Sequence, residues 1–142
     1  MKWITWNSVG IDRIACAWLI KNYIDKDAEF CFIPYGEEVN DNLGIAFDIP
    51  GKKLSHRRGN CTFLTIIKEY SLIDPILNEI GKIVNGADTL NEIIVPEESS
   101  GIEAICIGIG HLKGDDKEAL TTGSIVFDAL YQYIKNEKGE LK

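Results

Sequence analysis

Apolar residues recur at helical spacing in several long stretches of this sequence. Between residues 11 and 24 they form an i, i+3, i+4, i+7 stripe that widens until the predicted helix is mostly apolar. Thr62 is placed to cap a second helix, which runs to about residue 70. Asp74 and Pro75 then have the order expected of an N-cap and a first helical residue, and Gly86 is the expected C-cap of this third helix.

The last part of the chain predicts two further helices. Residues 100–103, S-G-I-E, fit a capping box, and an apolar run follows them as far as His111. The run is rich in isoleucine and also permits a buried strand, but the cap and the length of the run favour a helix. Two acidic residues at 115 and 116 are placed to cap the last helix, whose apolar stripe extends from residue 120 to residue 134.

Three short β-prone segments are predicted between the helices. They cover residues 2–6, 29–34 and 44–50. Asp48 lies near the end of the third, and the polar residues 35–43 before it have room for a short helical turn. The expected fold is therefore helix-rich α+β, with about five helices around a small sheet of roughly three strands, and residues 1–142 are expected to form one domain.

Composition and charge restrict the classes of function. The formal net charge of −7 disfavours binding to nucleic acid by this chain alone or to an anionic membrane surface. The first residues are too polar for a signal peptide and no apolar run approaches the length of a membrane span, so we expect a cytoplasmic protein. The four cysteines are widely spaced without a C-x-x-C pair, which argues against a disulfide framework. A homo-oligomer is compatible with these properties.

The segment from residue 47 to residue 63 holds the densest group of reactive side chains. Asp48, His56 and Cys61 are ligand types suited to a zinc-like divalent ion, provided that the loop between them folds back. The alternative is structural, with His56 bonded to the loop and Asp48 holding it shut. Cys61 stands beside basic residues at the junction of loop and helix, so it is also a candidate thiol nucleophile that His56 would activate.

Arg13 and Arg57 introduce a second kind of chemistry. Guanidinium groups bind tetrahedral oxyanions well, particularly near a helix N-terminus. The alternative for Arg13 is a structural ion pair with one of three carboxylates, Asp12, Asp48 or Asp88. Both interpretations of Arg13 stay open at this point.

Several blocks of the sequence also resemble the chromate-resistance family of ChrB-type domains. They are K-W-I-T (2–5), I-D-R-I-A-C-A-W-L-I (11–20), A-E-F (28–30), F-D-I-P-G (47–51), H-R-x-G-x-C-T-F (56–63), G-A-D (86–88) and F-D-A-L-Y (127–131). The resemblance implies a link to chromate resistance, often as the C-terminal part of a chromate-responsive regulator. Because K-W-I-T begins at residue 2, we expect a stand-alone domain without the N-terminal regulatory part.

The resemblance also marks individual positions. Those that match the family blocks are Asp12, Arg13, Cys16, Asp48, His56, Arg57, Cys61, Asp88 and Asp128. The chain departs from the family at residues 6–10, where a more basic stretch containing proline is usual, and at Ala17, which replaces a proline. Leu64 stands where the family tends to have an acid, which removes one candidate ligand or hydrogen-bond partner from the site.

Our leading hypothesis is a cytoplasmic domain of the chromate-resistance type that binds or senses a divalent metal ion or a small inorganic oxyanion. The expected metal ligands are Asp48 and His56, completed by Asp12 or Cys61. Arg13 and Arg57 would orient an anion or the ligands themselves. One rival is a thiol-dependent reductase or transferase that uses Cys61 activated by His56, and another is a non-catalytic interaction domain.

Overall fold

Our computed structural model describes residues 1–88 and 95–137. These residues contain five helices and three short strands, joined by loops. The strands are β1 (Lys2–Trp6), β2 (Glu29–Ile33) and β3 (Ile45–Ala46). The helices are α1 (Ile11–Tyr23), α2 (Thr62–Glu69), α3 (Pro75–Asp88), α4 (Glu98–Leu112) and α5 (Asp116–Glu137). This confirms the helix-rich α+β fold. Within the described ranges, no helix is long and apolar enough to span a membrane.

The three strands form a parallel sheet in the order β2-β1-β3. β1 pairs with β2 along its whole length, from Lys2 opposite Glu29 to Trp6 opposite Ile33. The pairing of β1 with β3 is short and ends at Ala46. Because parallel strands run in the same direction, the residues that follow the three strands meet at one edge of the sheet.

Helix α1 lies in the centre of the hydrophobic core, and most of its residues are buried. Trp18 stacks on Phe63 of α2 with ring centroids 6.5 Å apart, and it contacts Phe127 of α5 at 6.0 Å. Gly123 lets α5 approach α1 closely, since a Cβ at this position would clash with the side chain of Ile14. The core therefore fixes where α1 begins and where the side chains of its first turn lie.

Two predictions for the region around the third strand are wrong. Residues 35–43 contain turns but no helix, and β3 is much shorter than predicted. Phe47 still bridges to Leu54, but Asp48 has a φ of +54°, which is outside the strand region. The chain therefore leaves the sheet at Asp48 and turns into a tight loop.

Two predicted helix ends in the second half of the chain are also wrong. Gly86 does not end α3, which continues beyond it; a Cβ at this position would lie 2.7 Å from the hydroxyl oxygen of Ser99. This glycine serves close packing and not chain reversal. Helix α4 begins at Glu98, ahead of the capping box predicted from Ser100, and the Ser99 hydroxyl donates to a carbonyl oxygen of α3 at 2.7 Å.

The predicted caps of α3 and α5 are confirmed. Asp74 accepts the backbone N–H of Ile76 at 2.9 Å, and Asp115 accepts that of Lys117 at 3.0 Å. Both are Asx-type caps that satisfy a helix N-terminal donor. For residues 89–97 the sequence predicts a loop or a short extended piece, and most of this segment lies outside the described residues.

Candidate functional site

Polar side chains from several elements converge at the edge of the sheet where the strands end. They are Asp48 after β3, His56 in the following loop, Asp12 and Arg13 in the first turn of α1, and Thr62 at the start of α2. Because α1, α2 and the sheet pack on a common core, the ends of these elements share one small volume.

Asp12 caps the N-terminus of α2, a helix distant in sequence from its own. Its carboxylate oxygens accept the backbone N–H groups of Thr62 at 2.8 Å and Phe63 at 3.0 Å. Two of the donors that lack partners within α2 are thereby satisfied, and the positive end of the helix dipole favours the carboxylate. The thiol of Cys16 also donates to Asp12, at 3.4 Å. Asp12 is thus a buried anion that organises the start of α2.

The imidazole of His56 lies beside both carboxylates of the site. Its Nε2 is 3.1 Å from Oδ2 of Asp12 and 3.8 Å from Oδ1 of Asp48. The His56 side chain is 48% exposed, whereas those of Asp12 and Asp48 are 3% and 13% exposed. His56 therefore forms the solvent side of the group.

Asp48 is held by contacts from several sides. Arg13 donates from Nε to Oδ2 at 2.9 Å and from Nη2 to the backbone oxygen at 3.0 Å, and the Thr62 hydroxyl donates to Oδ1 at 2.6 Å. The backbone N–H of Asp48 donates to the carbonyl oxygen of Leu54 at 2.8 Å. These bonds hold Asp48 in its left-handed conformation, a strain of the kind that concentrates at functional sites.

Burial, together with the neighbouring charge of Asp12, raises the pKa of the Asp48 carboxyl to about 6. Arg13, the Thr62 hydroxyl and His56 act in the opposite direction without cancelling this rise. Two carboxylates next to one guanidinium leave the group with an excess of negative charge. Such a group favours the uptake of a proton or of a cation.

The raised pKa of Asp48 predicts that the metal-free protein loses stability as the pH rises from about 4 to about 6. In this range the folded state keeps a proton that the unfolded state has already released. The stabilisation is complete below the unfolded pKa and is lost, by up to about 3 kcal/mol, as the pH passes the folded pKa. Urea unfolding should show the stability of wild type falling relative to Asp48→Asn over this range. A pH-independent difference between the two proteins would contradict the raised pKa.

Of the two predicted anion-binding arginines, Arg13 is engaged within the protein. Besides its bonds to Asp48, it donates from Nη1 to the carbonyl oxygen of Trp6 at 3.1 Å. The structural ion pair considered as an alternative for Arg13 is therefore formed, with Asp48 as the partner. Arg57 lies apart, with Nη1 3.7 Å from Oε1 of Glu69, so its role toward an anion stays a prediction.

Cys61, predicted as ligand and nucleophile, is not brought into this group. Its side chain is fully buried, and Sγ lies 4.0 Å from the carbonyl oxygen of Gly81 in α3. It forms the N-cap position predicted for Thr62, and its backbone N–H donates to Oδ1 of Asn85 at 2.8 Å. A thiolate nucleophile must reach its substrate, so this burial gives the thiol-catalyst hypothesis no support.

Cys16 is a second thiol at this end of α1, and it is also fully buried. Burial, followed by the nearby charge of Asp12, raises the pKa of the Cys16 thiol well above its usual value. A buried thiol that stays protonated packs as a small apolar side chain, which agrees with the place of Cys16 on a buried helix.

Among the residues that the structure describes, Asp12, Asp48 and His56 form a group of potential metal ligands. Each offers one ligand atom, and these atoms lie within 4.8 Å of one another. Ligand atoms at about 2.0–2.1 Å from a tetrahedral zinc ion are about 3.4 Å apart, and the two distances from Nε2 of His56, 3.1 and 3.8 Å, bracket this value. One imidazole and two carboxylates therefore fit a zinc-like divalent ion.

The N-terminus of α2 and the hydroxyl of Thr62 are parts of the site that sequence reasoning did not find. A threonine at the end of the H-R-x-G-x-C-T block is a signal for a helix start. Nothing in the spacing shows that the carboxylate at that start comes from Asp12, which precedes Thr62 by 50 residues.

Asp128 and Asp88 are two other positions that match the family blocks. Asp128 accepts the indole N–H of Trp18 at 2.8 Å, which joins α5 to α1. Asp88 is the last residue of α3, and its side chain lies outside the described part of the chain.

Comparison with known proteins gives a clear family match. The family model described as the ChrB C-terminal domain matches residues 3–134. A curated relative, Protein ChrB of Cupriavidus metallidurans, is 27% identical over 138 residues. The match covers 96% of this chain and 42% of that protein, so the chain spans less than half the length of its relative. No solved structure gives a significant match.

Proposed function

Because this chain belongs to the family of ChrB C-terminal domains, we propose that it is a divalent-metal-binding domain associated with chromate resistance, with Asp12, Asp48 and His56 as the ligands. The link to chromate resistance comes from family membership. The proposal of metal binding rests on the convergence of the three side chains, whose ligand atoms lie within 4.8 Å of one another. That convergence is the observation that carries the proposal.

The charge balance of the site supports a cation. Two carboxylates with little exposure, Asp12 and Asp48, are compensated by the single guanidinium of Arg13. A divalent ion between the carboxylates would neutralise the remaining charge and lower the pKa of Asp48, which burial and the charge of Asp12 raise. Metal binding would therefore release a proton from Asp48 below about pH 6.

Neighbouring groups fix the orientation of the proposed ligands. The backbone N–H groups at the start of α2 hold Asp12, while Arg13 and the Thr62 hydroxyl hold Asp48. Such outer contacts hold ligands in the geometry that an ion needs. His56 closes the group on the solvent side, so a bound ion would face solvent there and supply a Lewis acid at that position.

Zinc binding by two histidine variants tests the proposal. The chain has two histidines, so His111→Ala on α4 is the matched control for His56→Ala. After removal of metal with a chelator, calorimetric titration with zinc should show one site in wild type and in His111→Ala. For His56→Ala we expect the affinity to fall on the order of 100-fold or more, because a ligand is lost.

Equal zinc affinities of wild type and His56→Ala would contradict the proposed site. A wild-type protein that takes up neither zinc nor manganese would contradict metal binding itself. Circular dichroism of each variant separates a loss of binding from a loss of fold.

A further inference from the structure

An open cleft of about 450 Å³ adjoins the proposed metal ligands. Its lining includes Asp48 and His56 together with the apolar side chains of Trp6, Tyr35 and Pro50. Sites for small organic molecules have volumes of about 300–1,000 Å³ and combine apolar walls with a few polar groups. Since one water molecule takes about 30 Å³ in the liquid, a metal ion or a small tetrahedral oxyanion alone would leave most of this cleft unfilled.

The aromatic wall of the cleft is fixed by backbone geometry. The N–H of Glu37 donates to the carbonyl oxygen of Pro34 at 3.1 Å, and Gly36 has a φ of +88°, as the third residue of a type II turn requires. The indole N–H of Trp6 donates to the carbonyl oxygen of Glu37 at 2.8 Å. The turn thus places Tyr35 next to Trp6, with ring centroids 4.8 Å apart and an interplanar angle of 54°.

Tyr35 is 76% exposed although a tight turn holds it in place. The indole N–H of Trp6 already donates to a backbone carbonyl oxygen. Trp6 therefore presents its ring surface to a ligand in the cleft, without a free indole donor. Arg13, which also lines the cleft, has its guanidinium engaged by Asp48 and by carbonyl oxygens. These side chains therefore favour a flat apolar group beside the metal ligands.

We propose that the cleft binds an organic ligand that joins a planar unsaturated ring to a chelating group with oxygen donors. The ring would lie against Tyr35 and Trp6, and the oxygen donors would face the ion held at His56. This inference rests on the proposed function, because the chelating group needs the ion. It identifies the class of molecule bound there as organic and aromatic.

Two hydroxamates provide a matched pair of probes. Benzohydroxamate and acetohydroxamate carry the same chelating group and differ in having a ring or a methyl group. On the zinc-loaded wild-type protein we expect benzohydroxamate to bind about tenfold more tightly, equivalent to about 1.4 kcal/mol. Calorimetric titration measures both affinities, and titration of zinc alone in the same buffer corrects for the intrinsic difference between the chelators.

Variants of Tyr35 identify the surface that selects the ring. Tyr35→Ala should reduce the preference for benzohydroxamate to the part that Trp6 supplies, without changing zinc affinity, and Tyr35→Phe should retain the full preference. Tyr133→Ala is the control, since Tyr133 is a 49% exposed tyrosine on α5 and does not line this cleft.

The outcomes separate this inference from the proposed function. Equal affinities for the two probes, or a preference that Tyr35→Ala leaves unchanged, would overturn the aromatic ligand while zinc binding stands. Failure of wild type to bind zinc would overturn the proposed function and, with it, the ligand class inferred here.

Discussion

Asp12→Ala is expected to lower the free energy of unfolding by about 3–5 kcal/mol. The buried carboxylate accepts the N–H groups of Thr62 and Phe63, at 2.8 and 3.0 Å. Alanine would leave both amides without an acceptor, and each unsatisfied buried donor costs about 1–3 kcal/mol. Because a domain of this size is stable by about 5–15 kcal/mol, the variant would lie close to its unfolding threshold.

Asp116→Ala is the matched control for this loss. Asp116 also accepts two consecutive backbone N–H groups, those of Ser8 at 3.3 Å and Val9 at 3.2 Å, but at a more exposed position. Water can replace its carboxylate there, so we expect a loss of about 1 kcal/mol or less. Urea unfolding followed by circular dichroism measures both variants. If Asp12→Ala loses no more than Asp116→Ala, Asp12 does not hold the start of α2.

Substitutions of Asp12 test stability and metal binding together, because Asp12 is both the cap of α2 and a proposed metal ligand. In Asp12→Asn the amide oxygen can accept one of the two N–H groups, so its stability should lie between those of wild type and Asp12→Ala. Zinc binding should be weakened in Asp12→Asn, since an amide is a poorer ligand than a carboxylate. The proposed ion would offset the repulsion between these two closely spaced carboxylates, Asp12 and Asp48.

Local patterns predicted most helices because their causes are local. The apolar stripe of α1 and the Asp74-Pro75 start of α3 depend on residues within one or two turns. Gly86 shows where such reasoning ends. A glycine near a predicted helix end is typical both of a C-cap and of close packing, and the neighbour that decides between them, Ser99, lies on another helix.

The candidate site was predicted only in part for the same reason. Asp48 and His56 were found because they are reactive residues on a loop, and they do lie together. Cys61 is equally reactive by type, but its place as the residue before α2 directs its side chain toward α3. Packing between helices and strands determines the direction of a loop side chain, and a local sequence pattern does not predict that packing.

Arg13→Met is expected to cost about 3–5 kcal/mol at pH 8, because it leaves the Asp48 carboxylate without its buried partner. Methionine keeps the length of the side chain, so the loss reports on charge and hydrogen bonding more than on packing. The Arg13 and Asp48 side chains are 12% and 13% exposed, which leaves little room for water to take over.

The loss in Arg13→Met should depend on pH. Arg13 lowers the pKa of Asp48, so without it the folded pKa rises further above about 6. The variant then keeps a proton that wild type has released, and its stability relative to wild type falls by about 1.4 kcal/mol per pH unit between the two folded pKa values. At pH 5, where Asp48 is largely neutral in both proteins, the difference should be smallest.

Urea unfolding at pH 5, 7 and 8 measures this dependence, with Arg58→Met as an exposed control expected to stay within about 0.5 kcal/mol of wild type. Adding Asp48→Asn to both wild type and Arg13→Met should remove the pH dependence and keep a smaller, constant difference. That remainder is the contribution of the bonds from Arg13 to backbone carbonyl oxygens such as that of Trp6. If the loss in Arg13→Met is the same at all three pH values, those backbone bonds account for all of it, and Arg13 does not act through the charge of Asp48.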